Sequence, residues 1–289
     1  MNLMQLVDEF DSETACREVL ADLRWPEGVK CPRCQEGRHA YYSERFVWDC
    51  YSCGYQFSVL SGTVFHDTKL PLRKWFMAVL LMVEAKKGMS ANQMKRTLGI
   101  SYKTAWYLCH RIRAAMKVED ARPLTGEIEA DETWIGGVQK GIARGKWRDG
   151  KTMVLGVMER GGEIRLKVDK RPTKKAIHKF LADETDNIEV LYTDEHSAYV
   201  GFTENHQHVT HRNEEWVRGQ VHTNGVEGVW SLFKRSVVGS YHQLSEKHLD
   251  AYLDEFEWRF NNRENDFLFR DTLTRLVTAE TLPYSELVG

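Results

Sequence analysis

Long apolar runs are missing from this chain: no stretch approaches the roughly 18 apolar residues that a membrane span requires. The first residues, Met1 to Glu9, lack the basic region followed by an apolar one that marks a secretory signal, so a cytoplasmic protein with no membrane partner is expected. Internal repeats and low-complexity segments are lacking too. Net charge is small, −2 over 289 residues, and with 42% apolar and 28% charged residues the composition is that of an ordinary soluble protein. That length allows two domains and a small third module. Cysteine is scarce, at six residues, which makes the positions of those six informative.

Four of the cysteines form two C-x-x-C pairs, Cys31 with Cys34 and Cys50 with Cys53, separated by fifteen residues. That is the pattern for four thiolates around a tetrahedral zinc. Two disulfides would use the same four residues, but an intracellular compartment argues against them. Ala40–Tyr42 and Phe46–Asp49 alternate enough to be hairpin strands. Residues 26–65 therefore read as a zinc ribbon whose Zn²⁺ is structural, since protein fills all four positions. Cys16 and Cys109 fall outside the spacing and read as core residues. Residues 1–25 read as a short helical arm with Phe10, Leu20, Leu23 and Trp25 as its apolar positions.

The small net charge hides an uneven distribution. Residues 69–117 hold eleven Lys or Arg against the single acid Glu84, a net +10 in a chain whose total is −2. Such a segment is suited to phosphate, although a solvated face has the same composition. Leu72, Trp75, Phe76, Val79, Leu80 and Val83 follow helical spacing as far as Gly88. Ser90–Leu98 predicts a second helix, Gly99–Ile100 a turn, and Ser101 the N-cap of a third helix running to about Met116. A plain three-helix bundle would have this periodicity; the charge favours a DNA-binding helix-turn-helix over residues 66–121. On its third helix Tyr102, Lys103, Arg111 and Arg113 are expected to be exposed, the last three as DNA contacts. Arg122–Gly126 reads as a linker.

From residue 125 to 265 the pattern is that of an α/β domain, with 266–289 left as a C-terminal tail. Strands are predicted at Glu127–Ile135, Thr152–Met158 and Glu163–Val168, the last two joined by a hairpin at Glu159–Gly162. A helix at Thr173–Ala182, a strand at Glu189–Thr193 and helices from Asn224 and Ser245 follow. Three strands, a helix, a strand and more helices is the order of an RNase H-like fold. The glycine-broken loop Lys140–Arg148 would place Lys146 and Arg148 near a substrate backbone.

The acids of this domain carry the chemistry. A carboxylate in an apolar strand is costly unless a metal ion or an ion pair offsets its charge. Asp131 sits in the first strand, Asp194 closes a later one and Glu227 opens a helix, parts suited to metal-assisted phosphoryl transfer. Adjacent strand residues face opposite sides, so the sequence leaves Asp131 against Glu132 open, and Asp194 against Glu195. Asn224-x-x-Glu227 is also a capping box, in which the glutamate merely satisfies backbone donors. Lys234 lies seven residues beyond Glu227, about two helical turns, so it shares that face and can hold a phosphate. Arg235, with Arg212, Trp216 and Arg218, would extend a basic-aromatic wall, although Trp216 suits a core equally. His206, His208 and His211 are close enough for a metal cluster, but a solvated loop or a DNA contact fits them as well.

Taken in order, these motifs resemble those of insertion-sequence transposases of the DDE class, the group that pairs an N-terminal zinc ribbon with an RNase H-like catalytic domain. The resemblance rests on the two cysteine pairs, Asp131-Glu132-Thr133-Trp134-Ile135-Gly136-Gly137, Tyr192-Thr193-Asp194 through Tyr199, and His222-Thr223-Asn224-Gly225-Val226-Glu227 with Trp230 and Lys234-Arg235. It spans about residues 15–263. It implies Asp131, Asp194 and Glu227 as ligands of two Mg²⁺ or Mn²⁺ ions. The family's third position varies between asparagine and glutamate, which makes Asn224 a second candidate. The implied partners are double-stranded DNA, as transposon ends and target, and at least a second copy of the chain on that DNA. The implied reaction is cleavage at the ends of a mobile element, followed by attack of the freed 3′-hydroxyl on target DNA. Two other classes share these parts: a DNA-binding regulator with an inactive nuclease fold, which the intact acids disfavour, and a zinc-ribbon RNA-processing nuclease, which a preference for RNA would reveal.

Overall fold

In the computed structural model, which describes residues 1–136, 151–170, 173–209 and 219–289, the chain divides into two units. One comprises Met1–Lys117 together with Glu264–Gly289, the other Val118–Arg263.

Four helices of the first unit start where a polar side chain caps their free N–H groups. Asn2 and Gln5 close a capping box on α1 (Leu3–Glu9), and Ser12 caps α2 (Glu13–Arg24). A three-stranded antiparallel sheet follows, β1 (His39–Tyr42), β2 (Val47–Cys50) and β3 (Gln56–Phe57), in that spatial order. Trp48 stacks between Tyr41 and Phe57, giving this small sheet its apolar face. Beyond it, α3 (Leu72–Glu84) is apolar almost all round and becomes the centre of the unit. Ser90 caps α4 (Ala91–Leu98), Gly99 ends it in the left-handed conformation that glycine adopts without strain, and Ser101 caps α5 (Tyr102–Met116). The segment expected only as a tail instead forms α9 (Leu268–Thr278) and α10 (Tyr284–Val288). Phe269, Leu273, Leu276 and Val277 recur at helical spacing and are buried, with Phe269 in an aromatic cluster with Phe10 and Phe76. Arg275 of α9 donates to the carbonyl of Ala115 at the end of α5 (2.7 Å).

The second unit is a five-stranded mixed sheet. Its elements are β4 (Leu124–Ile135), β5 (Thr152–Glu159), β6 (Ile164–Asp169), α6 (Lys174–Glu184), β7 (Thr185–Thr193), β8 (His206–His208), α7 (Asn224–Ser236) and α8 (Leu249–Asn261). The strand order is β6-β5-β4-β7-β8: the first three are antiparallel, and β7 and β8 run parallel to β4 and to each other. Side-chain alternation divides β4 between two cores. Leu124, Ile128 and Ala130 pack with Ile177, Phe180 and Leu181 of α6 on one face. Ile135 packs on the other with Val226, Trp230 and Phe233 of α7 and Leu253 and Phe256 of α8. That parity decides which acid of β4 meets which helix.

Candidate active site

Glu129, Asp131 and Ile135 share the parity of the α7 face, whereas Glu132 shares that of the α6 face. Asp131 Oδ2 accepts a hydrogen bond from the Trp230 indole of α7 (3.0 Å), and Glu132 Oε2 accepts one from the buried Tyr199 hydroxyl (2.9 Å). The choice that the sequence leaves open between these neighbours is thus made by the two layers of helices. Trp230 can lie against the sheet because β5 carries Gly156 beneath it: a Cβ there would stand 2.5 Å from the indole ring.

The second acid follows from strand register. β4 and β7 run parallel with Glu129 opposite Tyr192, and two residues further along each strand direction come Asp131 and Asp194. Neighbouring strands lie about 4.8 Å apart, so this register puts the two acids side by side. Asp194, just past β7, accepts from the backbone N–H of His196 (2.9 Å), which folds the chain back around its carboxylate. Burial, and then the charges of Glu132 and Asp194, push the Asp131 carboxyl from 3.8 up to about 8.

The third acid depends on where α7 begins. Its N-cap is Thr223, so Asn224 is the first helical residue and Glu227 lies one position beyond that of a capping-box glutamate. The backbone N–H of Val226 donates to Glu129 Oε2 (3.1 Å). Glu227 accepts from the Thr223 hydroxyl (2.8 Å) and remains exposed, as does Asn224. Glu227 stands one helical turn before Trp230, and Lys234 one turn after it, also exposed, with Arg235 beside it. Glu129, absent from the sequence-derived candidates, is the acid that anchors this helix; its even spacing from Asp131 was the available signal. Gly225 makes the close approach possible, since a Cβ there would meet Glu129 Oε2 at 2.7 Å.

These acids offer hard oxygen donors that suit Mg²⁺ or Mn²⁺, and the raised Asp131 carboxyl marks a cluster in which a cation would offset repulsion. They do not form a closed ligand shell: among the described residues, the only group of three or more His, Cys, Asp or Glu with ligand atoms all within 4.8 Å is Cys31, Cys34, Cys50 and Cys53. Those four are not disulfide-bonded, and their sulfurs approach to 3.7 Å (Cys31–Cys53) and 3.5 Å (Cys34–Cys50). Four sulfurs at about 2.3 Å from one zinc would be about 3.8 Å apart, so the cluster fits a structural zinc. His206 lies in β8 bonded to the Thr193 hydroxyl (2.8 Å), with the His208 ring 6.0 Å away, and the pair belongs to no such cluster.

The exposure expected of two DNA-contact candidates is corrected. Arg111 and Arg113 are buried, at 6% and 1% exposure, not exposed. Arg111 donates to the His66 carbonyl (2.8 Å) and lies over the rings of Trp75 and Tyr107. The reason is the width of the apolar face: α5 is buried over most of its circumference, leaving Tyr102, Lys103, Thr104 and Ala114 exposed. Lys103 sits at the open N-terminal turn, 4.6 Å from the Tyr284 ring. Lys95 and Arg96 of α4, counted in the basic segment but not singled out from the sequence, are also exposed. Their signal was the amphipathic pattern around Met94 and Leu98. Lys146 and Arg148, His211, Arg212, Trp216 and Arg218 lie outside the described residues.

Comparison with known proteins agrees with this layout. The family model of the ISXO2-like transposase domain matches residues 123–261, and that of the transposase zinc-ribbon domain matches residues 11–56. A protein of Halobacterium salinarum, described as an uncharacterized protein in transposable element ISH50, is 30% identical over 280 residues, covering 89% of this chain and 93% of its own. A chain in the crystal structure of a pre-cleavage Mos1 transpososome is 13% identical over 70% of this chain and 77% of that one, with a TM-score of 0.25, a likeness too weak to bear on fold or partner. With its cysteine ribbon and acid-bearing sheet both falling inside matched segments, and a relative aligned nearly end to end, this chain belongs to the ISXO2-like transposases of insertion sequences.

Proposed function

We propose that the chain is a DNA transposase that binds the terminal repeats of its insertion sequence and catalyses metal-dependent strand cleavage and strand transfer. The observation that carries this reading is Asp131 on the sheet face that α7 covers, with β4 and β7 paired as far as Glu129 and Tyr192, two residues short of Asp131 and Asp194. The strand order β6-β5-β4-β7-β8 supports an RNase H-like identity for this unit. Asp131 and Asp194 would hold divalent cations, with Glu227 as the third ligand and Asn224 as the second candidate for that place. When bound, such ions activate the attacking water or 3′-hydroxyl and neutralise the leaving oxygen. Lys234, two turns along the same helix face, holds the phosphate in line, and Arg235 contacts the neighbouring backbone.

The remaining parts serve DNA capture. Helices α4 and α5 act as a helix-turn-helix, in which the first turn of α5, with Lys103, meets the groove while Lys95 and Arg96 meet phosphates. Lys146 and Arg148 contact the substrate backbone, an assignment that rests on sequence alone. The chain acts in the cytoplasm, as at least a dimer, because two element ends must be held together for transfer.

Cleavage of DNA carrying the element's own ends, with Mg²⁺ or Mn²⁺, tests the reading. The wild type is expected to cut, while Asp131→Asn and Asp194→Asn bind the same DNA and do not cut. Binding by all three without cleavage by any would instead make the fold a scaffold for regulation.

A further inference from the structure

Arg160, in the turn between β5 and β6, touches all three segments that carry the site's acids. Its Nε donates to Glu129 Oε1 (2.9 Å) and its Nη1 to Glu127 Oε2 (3.2 Å), both on β4, the strand of Asp131. Its Nη2 donates to the carbonyls of Gln220 (2.8 Å) and His222 (2.9 Å), the residues leading into Asn224 and Glu227. Its guanidinium lies 3.8 Å from the ring centre of Tyr192, two residues before Asp194. The fixed fork of a guanidinium can serve several acceptors at once, which an ammonium on a flexible stem does less well.

Glu129 completes the connection. One oxygen takes Arg160, the other the N–H of Val226 at the start of α7, and its side chain is 2% exposed. Two residues on, Asp131 takes the indole of Trp230, four residues beyond Val226. Two residues along a strand advance about 6.7 Å and four along a helix about 6 Å, so helix and strand are pinned at two matched points. Glu129 is buried, with its side chain 2% exposed, and Arg160 is partly buried at 16%, so loss of the arginine would take an ion-pair partner from a buried carboxylate.

We propose that the Arg160–Glu129 pair is the positioning element of the acid site: it sets where α7 and the end of β7 stand relative to Asp131, and thereby the site's affinity for a divalent cation. The inference rests on the reading of Asp131 and Asp194 as metal ligands. It assigns both residues a role through the ligands, with no contact to substrate.

The test is a Mn²⁺ titration of the full chain without DNA, followed by the electron paramagnetic resonance of free Mn²⁺. It compares wild type, Asp131→Asn, Arg160→Met and Arg160→Lys, each checked for folding by circular dichroism. Asp131→Asn should abolish the binding. Arg160→Met should weaken it about tenfold or more, the scale usual for residues that orient metal ligands, with Arg160→Lys in between. The Mn²⁺ concentration for half-maximal DNA cleavage should rise by the same factor, while the rate at saturating Mn²⁺ largely recovers; a merely structural loss would lower the active fraction without moving that concentration. If Arg160→Met does not fold, Arg160→Lys decides. Folded Arg160 variants that bind Mn²⁺ as tightly as wild type, where Asp131→Asn does not bind, overturn the proposal alone. Equal Mn²⁺ binding by wild type and Asp131→Asn would instead remove the metal-site reading, and this proposal with it.

Discussion

A buried carboxylate needs a partner, and three acids of β4 meet that need differently. Glu129 has a guanidinium and a backbone N–H, Glu132 a tyrosine hydroxyl, and Asp131 an indole N–H beside two other negative charges. Asp131 is therefore the one whose charge is least compensated by protein, which is what a cation ligand requires. Burial separates the cations of α5 in the same way, with Arg111 and Arg113 buried and Lys103 exposed. Arg111→Ala should lower stability by about 1–3 kcal/mol, through a lost carbonyl hydrogen bond and lost packing on Trp75 and Tyr107, and reduce DNA affinity only as far as it unfolds the module. Lys103→Ala should leave the urea midpoint unchanged and weaken binding to element-end DNA, with a shallower dependence on salt. Equal effects of the two substitutions on DNA binding at matched stability would contradict this division. The acids were legible as residue types, because a charge in an apolar strand stands out. Their facing was not, because adjacent strand positions differ only in which helix covers them.

At the scale of elements, most helices and strands announced themselves through caps and periodicity. Ser101 caps α5 as expected, Ser90 and Thr173, expected as first residues of their helices, are the N-caps instead, and the hairpin at Glu159–Gly162 joins β5 to β6. The capping box at Asn224 was misread by one residue. The helix starts from Thr223 because Glu129, far away in sequence, supplies the acceptor for Val226 that a local side chain would otherwise provide. The ribbon is the opposite case, since its four thiols need only their own spacing to be recognised. With a sheet this small, metal binding is a large share of its folding energy. A chelator strong enough to remove zinc, or Cys53→Ser, should abolish about one equivalent of bound zinc and expose the Trp25–Trp48 pair, read as a red shift in tryptophan fluorescence. A metal-free chain with unchanged fluorescence and proteolysis would show that the ribbon is held by its core alone.

For the whole molecule, the finding least visible beforehand is that residues 264–289 belong to the same unit as the N-terminus. Phe269, Leu273, Leu276 and Val277 are buried there, and Arg275 holds the end of α5. Deleting residues after Arg263 should therefore destabilise residues 1–117, seen as rapid amide exchange in α3 and α5, while β4 and β5 keep their protection. Uniform loss of protection in both units would argue against this partition. The helical spacing within residues 268–278 was present in the sequence, but nothing local says which distant surface it covers.

The sequence by itself determined the local facts: the cysteine cluster, most of the caps, the strand pattern, and the presence of acids in an apolar strand. Each depends on spacing over a few residues or on side-chain chemistry, so no partner from elsewhere in the chain is needed to read it. Only the tertiary structure decided that Asp131 rather than Glu132 faces α7, that Arg111 and Arg113 are core, and that Arg160 meets β4, β7 and the approach to α7 at once. Those outcomes turn on which element packs against which face, a choice set by contacts between residues far apart in the chain.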